Sequence, residues 1–364
     1  MDRRAYLGSL TAGLVGLGGC LRTGGTEPDE TTTERVRFRT ETVTMELTVP
    51  WGAGFDPEGY LYVTERPGRI QRVTPDGDER ELIADFTDRI AHRGEGGLLG
   101  LAFHPEDPDL AYTYGTYRVD GDLLNRVVRH RVAEGFAPDG VVVDAIPAGT
   151  VHDGGRIAFG PEGYLYVTTG DAGDPERARD RESLAGKVLR VAPDGDAHPD
   201  NPAEGDPRVF TYGHRNPQGL AWADGTLFGT EHGPDRDDEI NVLRAGRNYG
   251  WPDAMGPSDD ESYVDPVTSY TPTIAPGSAA VYDGPIDDWR GDLFVGTLAG
   301  RHLRRVRIED GSVVDEERLL DEEYGRLRTA FTGPDDHLYV TTSNQDGRGT
   351  PAPQDDRVLR LQPV

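Results

Sequence analysis

The run Phe55-Asp-Pro-Glu-Gly-Tyr-Leu-Tyr-Val-Thr64 returns almost unchanged as Phe159-Gly-Pro-Glu-Gly-Tyr-Leu-Tyr-Val-Thr168, and again as Thr332-Gly-Pro-Asp-Asp-His-Leu-Tyr-Val-Thr341. Looser copies occupy residues 101–116, 220–231 and 280–297. Each joins a Pro/Gly/Asp turn to an alternating apolar run, the pattern of a β-hairpin. A strand of a second kind follows each hairpin, at 69–78, 127–135, 187–196, 240–248, 302–311 and 357–361. Six units of about 45–60 residues, each with three or four strands, predict an all-β chain folded as a six-bladed β-propeller. An open solenoid would need a short strict period, which is lacking. The run 43–49 precedes the first hairpin and is predicted to complete the last blade, closing the ring. Residues 175–187 are the best candidate for a helical turn. A propeller gathers ligand sites on one face, where loops from different blades converge around the channel.

The formal charge is −27, and Lys187 is the single lysine among 38 basic residues. So acidic a chain lacks the basic face that nucleic acid requires, and adsorption to anionic lipid is disfavoured. Lysine depletion with high acidity predicts life in strong salt. There the Debye length falls to about 3 Å at 1 M, and carboxylates keep the surface hydrated.

Residues 1–20 read as a twin-arginine lipoprotein-type signal: Arg3-Arg4, a glycine-containing apolar stretch, then Leu17-Gly18-Gly19-Cys20 in lipobox arrangement. Residues 21–36 read as a Thr/Glu/Gly tether and 37–364 as the propeller. The expectation is export by the twin-arginine route and attachment to the outer face of the cytoplasmic membrane through lipid on Cys20 alone. Cys20 is the only cysteine, so no thiolate chemistry or internal disulfide belongs to the body.

The motifs of serine hydrolases, zinc helices, P-loops and EF-hands are absent. Candidate chemistry lies in a few glycine-rich loops. Glu95 stands among glycines in Arg93-Gly-Glu-Gly-Gly. His152 stands before Asp153-Gly-Gly, either as a general base, work suited to histidine near neutral pH, or as a turn histidine. Residues 213–252 bring Arg215 and Asn216 close in sequence to the acidic run Asp235–Glu239. Arg215 can orient an anion or stack between blades. The acidic run can hold calcium or merely be solvated. Arg326 and Arg328 fall on one face of an extended strand, as a carboxylate clamp or a solvated face.

Eight motifs, ordered along the chain, decide among these: GEGGLLGLAFHP, HDGGRIAFGPEGYLYVTTGD, LAGKVLRV, PDNP, YGHRNPQGLAW, EHGPDRDDEIN, GRNYGWP and PTIAPGSAAVY. From about Val43 to the end the chain resembles the glucose/sorbosone dehydrogenase family, which includes soluble glucose dehydrogenases and aldose sugar dehydrogenases that use pyrroloquinoline quinone (PQQ). That resemblance implies oxidation of an aldose at C1 to its lactone. His152 matches the base that takes the hydroxyl proton while hydride passes to the quinone. Arg215 matches the arginine on the quinone oxygens, Asn216 its neighbour in cofactor binding, and Arg326 and Arg328 those reaching the PQQ carboxylates. The Gly233 and Pro234 carbonyls match those holding the calcium that bridges to PQQ, and Glu239 with the Tyr249 carbonyl match ligands of a further calcium. Electrons would leave to a quinone, a cytochrome or a small copper protein.

The chain departs from the soluble glucose dehydrogenases at four places. Ala299 replaces a lysine, Thr271 a tryptophan, Val151 an acid before the base, and Glu95 a glutamine. The pared-down pocket is closer to aldose sugar dehydrogenases. A calcium-dependent lactonase and a propeller that binds without turnover are the competing readings.

Overall fold

The computed structural model describes residues 37–364, so the signal, Cys20 and the tether lie outside the described residues. The chain opens with β1 (Phe38–Thr44). It continues through β2 (Pro50–Phe55), β3 (Leu61–Glu65), β4 (Arg69–Val73) and β5 (Arg80–Asp85), which form the first four-stranded blade. The second blade is β6 (Leu98–Phe103), β7 (Leu110–Val119), β8 (Asp122–Arg131) and β9 (Ala137–Pro147). The third is β10 (Ile157–Phe159), β11 (Leu165–Thr169), β12 (Lys187–Val191) and β13 (Val209–Tyr212), with a one-turn helix α1 (Glu176–Arg179) between β11 and β12. The fourth is β14 (Pro217–Ala223), β15 (Thr226–Glu231), β16 (Asp238–Val242) and β17 (Thr268–Tyr270). The fifth is β18 (Pro276–Val281), β19 (Leu293–Thr297), β20 (Leu303–Glu309) and β21 (Ser312–Leu319). In the sixth, β22 (Leu327–Thr332), β23 (Leu338–Thr342) and β24 (Val358–Pro363) are joined at the outer edge by β1.

The ring therefore closes as a six-bladed propeller, but with a different strand from the one expected. β1 pairs antiparallel with β24 from Phe38↔Pro363 to Thr44↔Val358, so it starts ahead of the predicted run 43–49 and overlaps it only at Val43 and Thr44. Residues 46–48 instead form a connection stitched to the 354–356 loop and to Glu65.

The repeated hairpin has a packing reason. Its second tyrosine, at Tyr62, Tyr166 and Tyr339, is buried and meets the aromatic residue near the end of the next blade's inner strand. The pairs Tyr62–Phe103, Tyr166–Trp222 and Tyr339–Phe55 stand edge to face with centroids 5.1, 5.3 and 5.0 Å apart, and Tyr112–Phe159 adds a fourth at 5.2 Å. The threonine closing each repeat is fully buried and accepts an inner-strand amide: Gly52 to Thr64, Arg156 to Thr168 and Thr329 to Thr341. Thus the repeat encodes blade-to-blade contact rather than the ligand site.

An even number of strands per blade sends every blade-to-blade loop, and every loop between second and third strands, to the same face. The hairpin turns point to the other. Loops carrying Arg66, Glu95, His152, Asp171, Arg215, His232, Arg326 and Arg348 therefore converge, although they span nearly the whole chain.

Candidate active site at the channel mouth

His152 adopts a left-handed backbone (φ 58°) in the loop between β9 and β10. That conformation is uncommon for a side chain of its size, and the surroundings hold it. Its amide donates to Glu95 Oε2 at 2.8 Å, and its carbonyl accepts the Ala172 amide at 3.1 Å. Gly170 packs so closely on that carbonyl that a Cβ there would collide with it.

The imidazole Nδ1 lies 2.7 Å from Oδ1 of Asp171, which also accepts the Gly173 amide at 2.7 Å. The other carboxylate oxygen accepts the Trp251 indole N–H at 2.9 Å. Asp171 is thus fully buried with both oxygens bonded, while the histidine side chain keeps 17% exposure. A carboxylate so placed fixes the tautomer with the proton on Nδ1 and leaves Nε2 as an acceptor. Trp251 reaches this point because residues 247–251 climb beside β13, with a parallel bridge between Tyr212 and Asn248.

Arg215 follows β13, and its backbone amide donates to Glu231. Its guanidinium donates to the carbonyls of His232 (3.2 Å) and Gly233 (2.9 Å) and lies over the Trp251 ring. Burial lowers its pKa against the pull of Asp171 and Glu231. Asn216 is buried and accepts the Gly154 amide at 3.0 Å, joining the His152 loop to the next blade. Glu95 donates nothing: its second oxygen accepts from Arg348 at 2.8 Å. Burial alone would raise its pKa, but the His152 amide and Arg348 outweigh this and hold it below the usual carboxylate value.

Beside these residues is a cavity of about 260 Å³ lined by Trp51, Arg66, Glu95, Asp153, His232 and Arg328, among others. Arg156 and Arg328 stack over the Trp51 ring beneath it, 4.4 and 5.5 Å from the centroid. Burial pushes both guanidinium pKa values down to about 9, helped by repulsion from Arg328 on Arg156 and from Arg66 on Arg328. Four residues that line this cavity each carry a fully buried side-chain atom with no hydrogen-bond partner among the described residues: Arg66 Nε, Asp153 Oδ2, His232 Nε2 and Arg328 Nε. Each costs about 1–3 kcal/mol unless something pairs with it. The buried guanidiniums of Arg66 and Arg328 in the lining fit an anionic molecule.

A second, very small cavity of about 10 Å³ lies behind Arg215, lined by Glu231, Gly233, Glu239 and Tyr249. It holds roughly one water or ion. Burial, and then the nearby Glu231 carboxylate, push Glu239 up to about 8. Two buried carboxylates forced together beside carbonyl oxygens fit a hard cation. The acidic run itself is largely committed elsewhere. Asp238 accepts the Gly233, Ile274 and Ala275 amides, and Asp237 accepts from Thr271. Among the described residues no cluster of three or more His, Cys, Asp or Glu could hold a metal by side chains alone.

The structure separates the two arginines placed together by strand alternation. Arg328 lines the central cavity. Arg326, just ahead of β22, is bound to Asp346 at 2.7 Å and to the Ser343 and Leu298 carbonyls, and it faces a neighbouring cavity of about 330 Å³. Sequence reasoning singles out neither Asp171 nor Trp251, although both belong to motifs quoted above. Arg66 and Asp153 are likewise visible, one just after the first hairpin repeat and the other directly after His152, but nothing in the spacing marks them.

Residues 47–351 match the family described as glucose/sorbosone dehydrogenase. Among solved structures, one described as a glucose dehydrogenase from Thermus thermophilus is 45% identical, covering 89% of this chain and 100% of that one with a TM-score of 0.83. The PQQ-bound aldose sugar dehydrogenase of Streptomyces coelicolor is 38% identical, covering 90% and 98% of the two chains with a TM-score of 0.81. Quinoprotein glucose dehydrogenase B of Acinetobacter calcoaceticus is 28% identical over 84% of this chain and 85% of its own.

Proposed function

Because the chain belongs to the glucose/sorbosone dehydrogenase family, we propose that it oxidises aldose sugars at C1 to the lactone with PQQ and calcium. The observation that carries this reading is the bonded set His152–Asp171–Trp251 beside a cavity lined by the buried guanidiniums of Arg66 and Arg328.

His152 Nε2 takes the proton of the C1 hydroxyl, and Asp171 stabilises the imidazolium that results through the Nδ1 hydrogen bond. Glu95 holds the His152 backbone in place while its other oxygen is satisfied by Arg348. When bound, PQQ supplies a two-electron acceptor for the C1 hydride and calcium supplies Lewis-acid polarisation. Arg215 places a positive charge where the acceptor oxygens gain negative charge. Asn216 and Arg328 would hold edge groups of the cofactor, and the Gly233 and Pro234 carbonyls would offer oxygen ligands for calcium. Glu239 and the Tyr249 carbonyl serve a second calcium in the small cavity.

A quinone, a cytochrome or a small copper protein would take the electrons onward. Export by the twin-arginine route, lipid attachment at Cys20 and work in strong salt complete the reading. A lactonase would instead need acidic side chains converging on a central metal, and no such group occurs among the described residues. The direct test is aldose-dependent reduction of PQQ by the purified protein with calcium. An enzyme that binds PQQ yet reduces none of it with any aldose contradicts the proposal.

A further inference from the structure

We propose that Arg156 is a positioning residue: its side chain crosses the propeller channel one residue below the central cavity, closes the channel there, and fixes three residues of the cavity wall. The effect on a bound cofactor rests on the reading above; the closure of the channel does not.

The inner strands show how one side chain can do this. Their pairing with the second strands resumes at Ala53, Leu101, Leu220, Ala279 and Ala330 after a slip in register, and Ile157 is the matching residue of blade three. One residue earlier, Gly52, Gly100, Arg156, Gly219, Ser278 and Thr329 therefore form one level around the channel. Side chains at this level aim at the next blade's inner strand. A Cβ at Gly52, Gly100 or Gly219 would come within 3 Å of that strand's backbone, so three blades have no side chain here. Ser278 and Thr329 donate to it, at the Ala330 and Trp51 carbonyls. Arg156 does the same, its Nε donating to the Gln218 carbonyl at 3.0 Å, and then goes further. A terminal nitrogen reaches Thr329 Oγ1 at 3.2 Å. Blades three and six face each other across a ring of six, so this bond spans the channel.

The groups that Arg156 holds belong to the cavity. Gln218 accepts Arg156 on its carbonyl and Arg328 Nη1 on its side-chain oxygen, the latter at 3.0 Å. Thr329 takes the far end of Arg156 and donates to the Trp51 carbonyl. The Arg156 guanidinium also lies over the Trp51 ring, 4.4 Å from its centroid. Trp51, Gln218 and Arg328 line the central cavity, so Arg156 acts on it through them.

Charge argues for the same role. Arg156 is buried, and no carboxylate pairs with it among the described residues. A desolvated guanidinium held by neutral acceptors is costly, and an apolar side chain would fill the space at lower cost. Filling a channel needs no charge, whereas joining acceptors on opposite blades needs a rigid fork of donors. With the channel closed here, water reaches the site from the mouth alone, which strengthens the electrostatic interactions inside it.

The test uses the purified protein in high salt with calcium, and two readouts. Acrylamide quenching of tryptophan fluorescence reports access to Trp51, and titration with PQQ reports the cavity. Arg156→Met is expected to raise quenching in the wild-type background and to leave it unchanged in a Trp51→Phe background. It should weaken PQQ about tenfold. Arg156→Lys keeps the charge but has no fork to join Gln218 to Thr329, so it should resemble Arg156→Met in both readouts. Thr329→Val removes only the far acceptor and should shift both readouts in the same direction; it serves if Arg156→Met does not fold. Wild-type quenching and PQQ affinity in folded Arg156→Met overturn the proposal, and so does full rescue by lysine. Raised quenching with unchanged PQQ affinity overturns the positioning role. A wild type that binds no PQQ, with Trp51 opened to quencher in Arg156→Met, keeps the closed channel and sinks the cofactor reading instead.

Discussion

Nδ1 of His152 stands 2.7 Å from Oδ1 of Asp171, and the carboxylate is fully buried while the imidazole remains reachable. The aspartate comes from the loop between the second and third strands of blade three, and the histidine from the loop entering that blade. A carboxylate at this position does not touch substrate. It orients the imidazole of His152.

Asp171→Asn replaces an oxygen acceptor by an amide and is expected to lower kcat by about 10²–10⁴-fold. PQQ affinity should change little. Steady-state kinetics, with PQQ titration alongside, check this. A variant with normal kcat removes Asp171 from the mechanism.

Asp153 gives a pH effect of known sign. Burial raises its carboxyl to about 6 from an ordinary value of 3.8, against the pull of Asn125 and the Gly149 amide. The folded state therefore holds this proton more tightly than the unfolded chain. Its stabilising contribution is complete at low pH and is lost as pH rises between those two values. Asp153→Asn cannot ionise and escapes that loss. The apo variant should melt a few degrees above wild type at pH 7–8, with the gap closing near pH 4, by differential scanning calorimetry.

Much of this architecture is readable in the sequence because blade-to-blade contact recurs. A tyrosine meeting the next blade's aromatic ring, and a threonine capping an inner strand, must be written into the sequence again at successive blades. The closing strand escapes that pattern for the opposite reason: β1 lies on the outer edge, repeats no motif, and meets only β24 on one side. The loops also carry enough pattern to find His152, Arg215 and Glu95. Pairings between distant loops leave no such trace. Nothing near Arg326 announces that Asp346 will occupy it, and nothing near Arg66 announces that it will line the central cavity.

Lys187 is the only lysine in the chain and is fully buried. Its ammonium donates to the Arg177, Ala178 and Ala185 carbonyls at 2.8, 3.0 and 2.6 Å, binding α1 and the following loop to β12. Burial lowers its pKa to about 7, against the pull of the Asp180 carboxylate. Lys187→Met leaves the Arg177 and Ala185 carbonyls unpaired, while Ala178 keeps the Gly213 amide at 3.0 Å, and should cost about 2–4 kcal/mol by chemical denaturation. Lys187→Arg should not rescue it, since a planar fork does not fit three converging acceptors.

Calcium removal should act through the small cavity where Glu231 and Glu239 crowd each other. Chelation is expected to lower Tm by about 5–10 °C, corresponding to roughly 3 kcal/mol of linked binding. In Glu239→Gln the crowding is gone, so its Tm should respond only weakly to chelator. A wild-type Tm indifferent to chelator would remove the cation from that site.

The most direct measurement follows the absorbance of PQQ bound to the calcium-loaded protein in high salt as an aldose is added. The oxidised-quinone band should bleach with wild type and persist with His152→Ala, while both proteins bind PQQ with similar affinity. Equal bleaching by the two proteins, or bound PQQ that no aldose reduces, would contradict the assignment of His152 as the base of a PQQ-dependent aldose dehydrogenase.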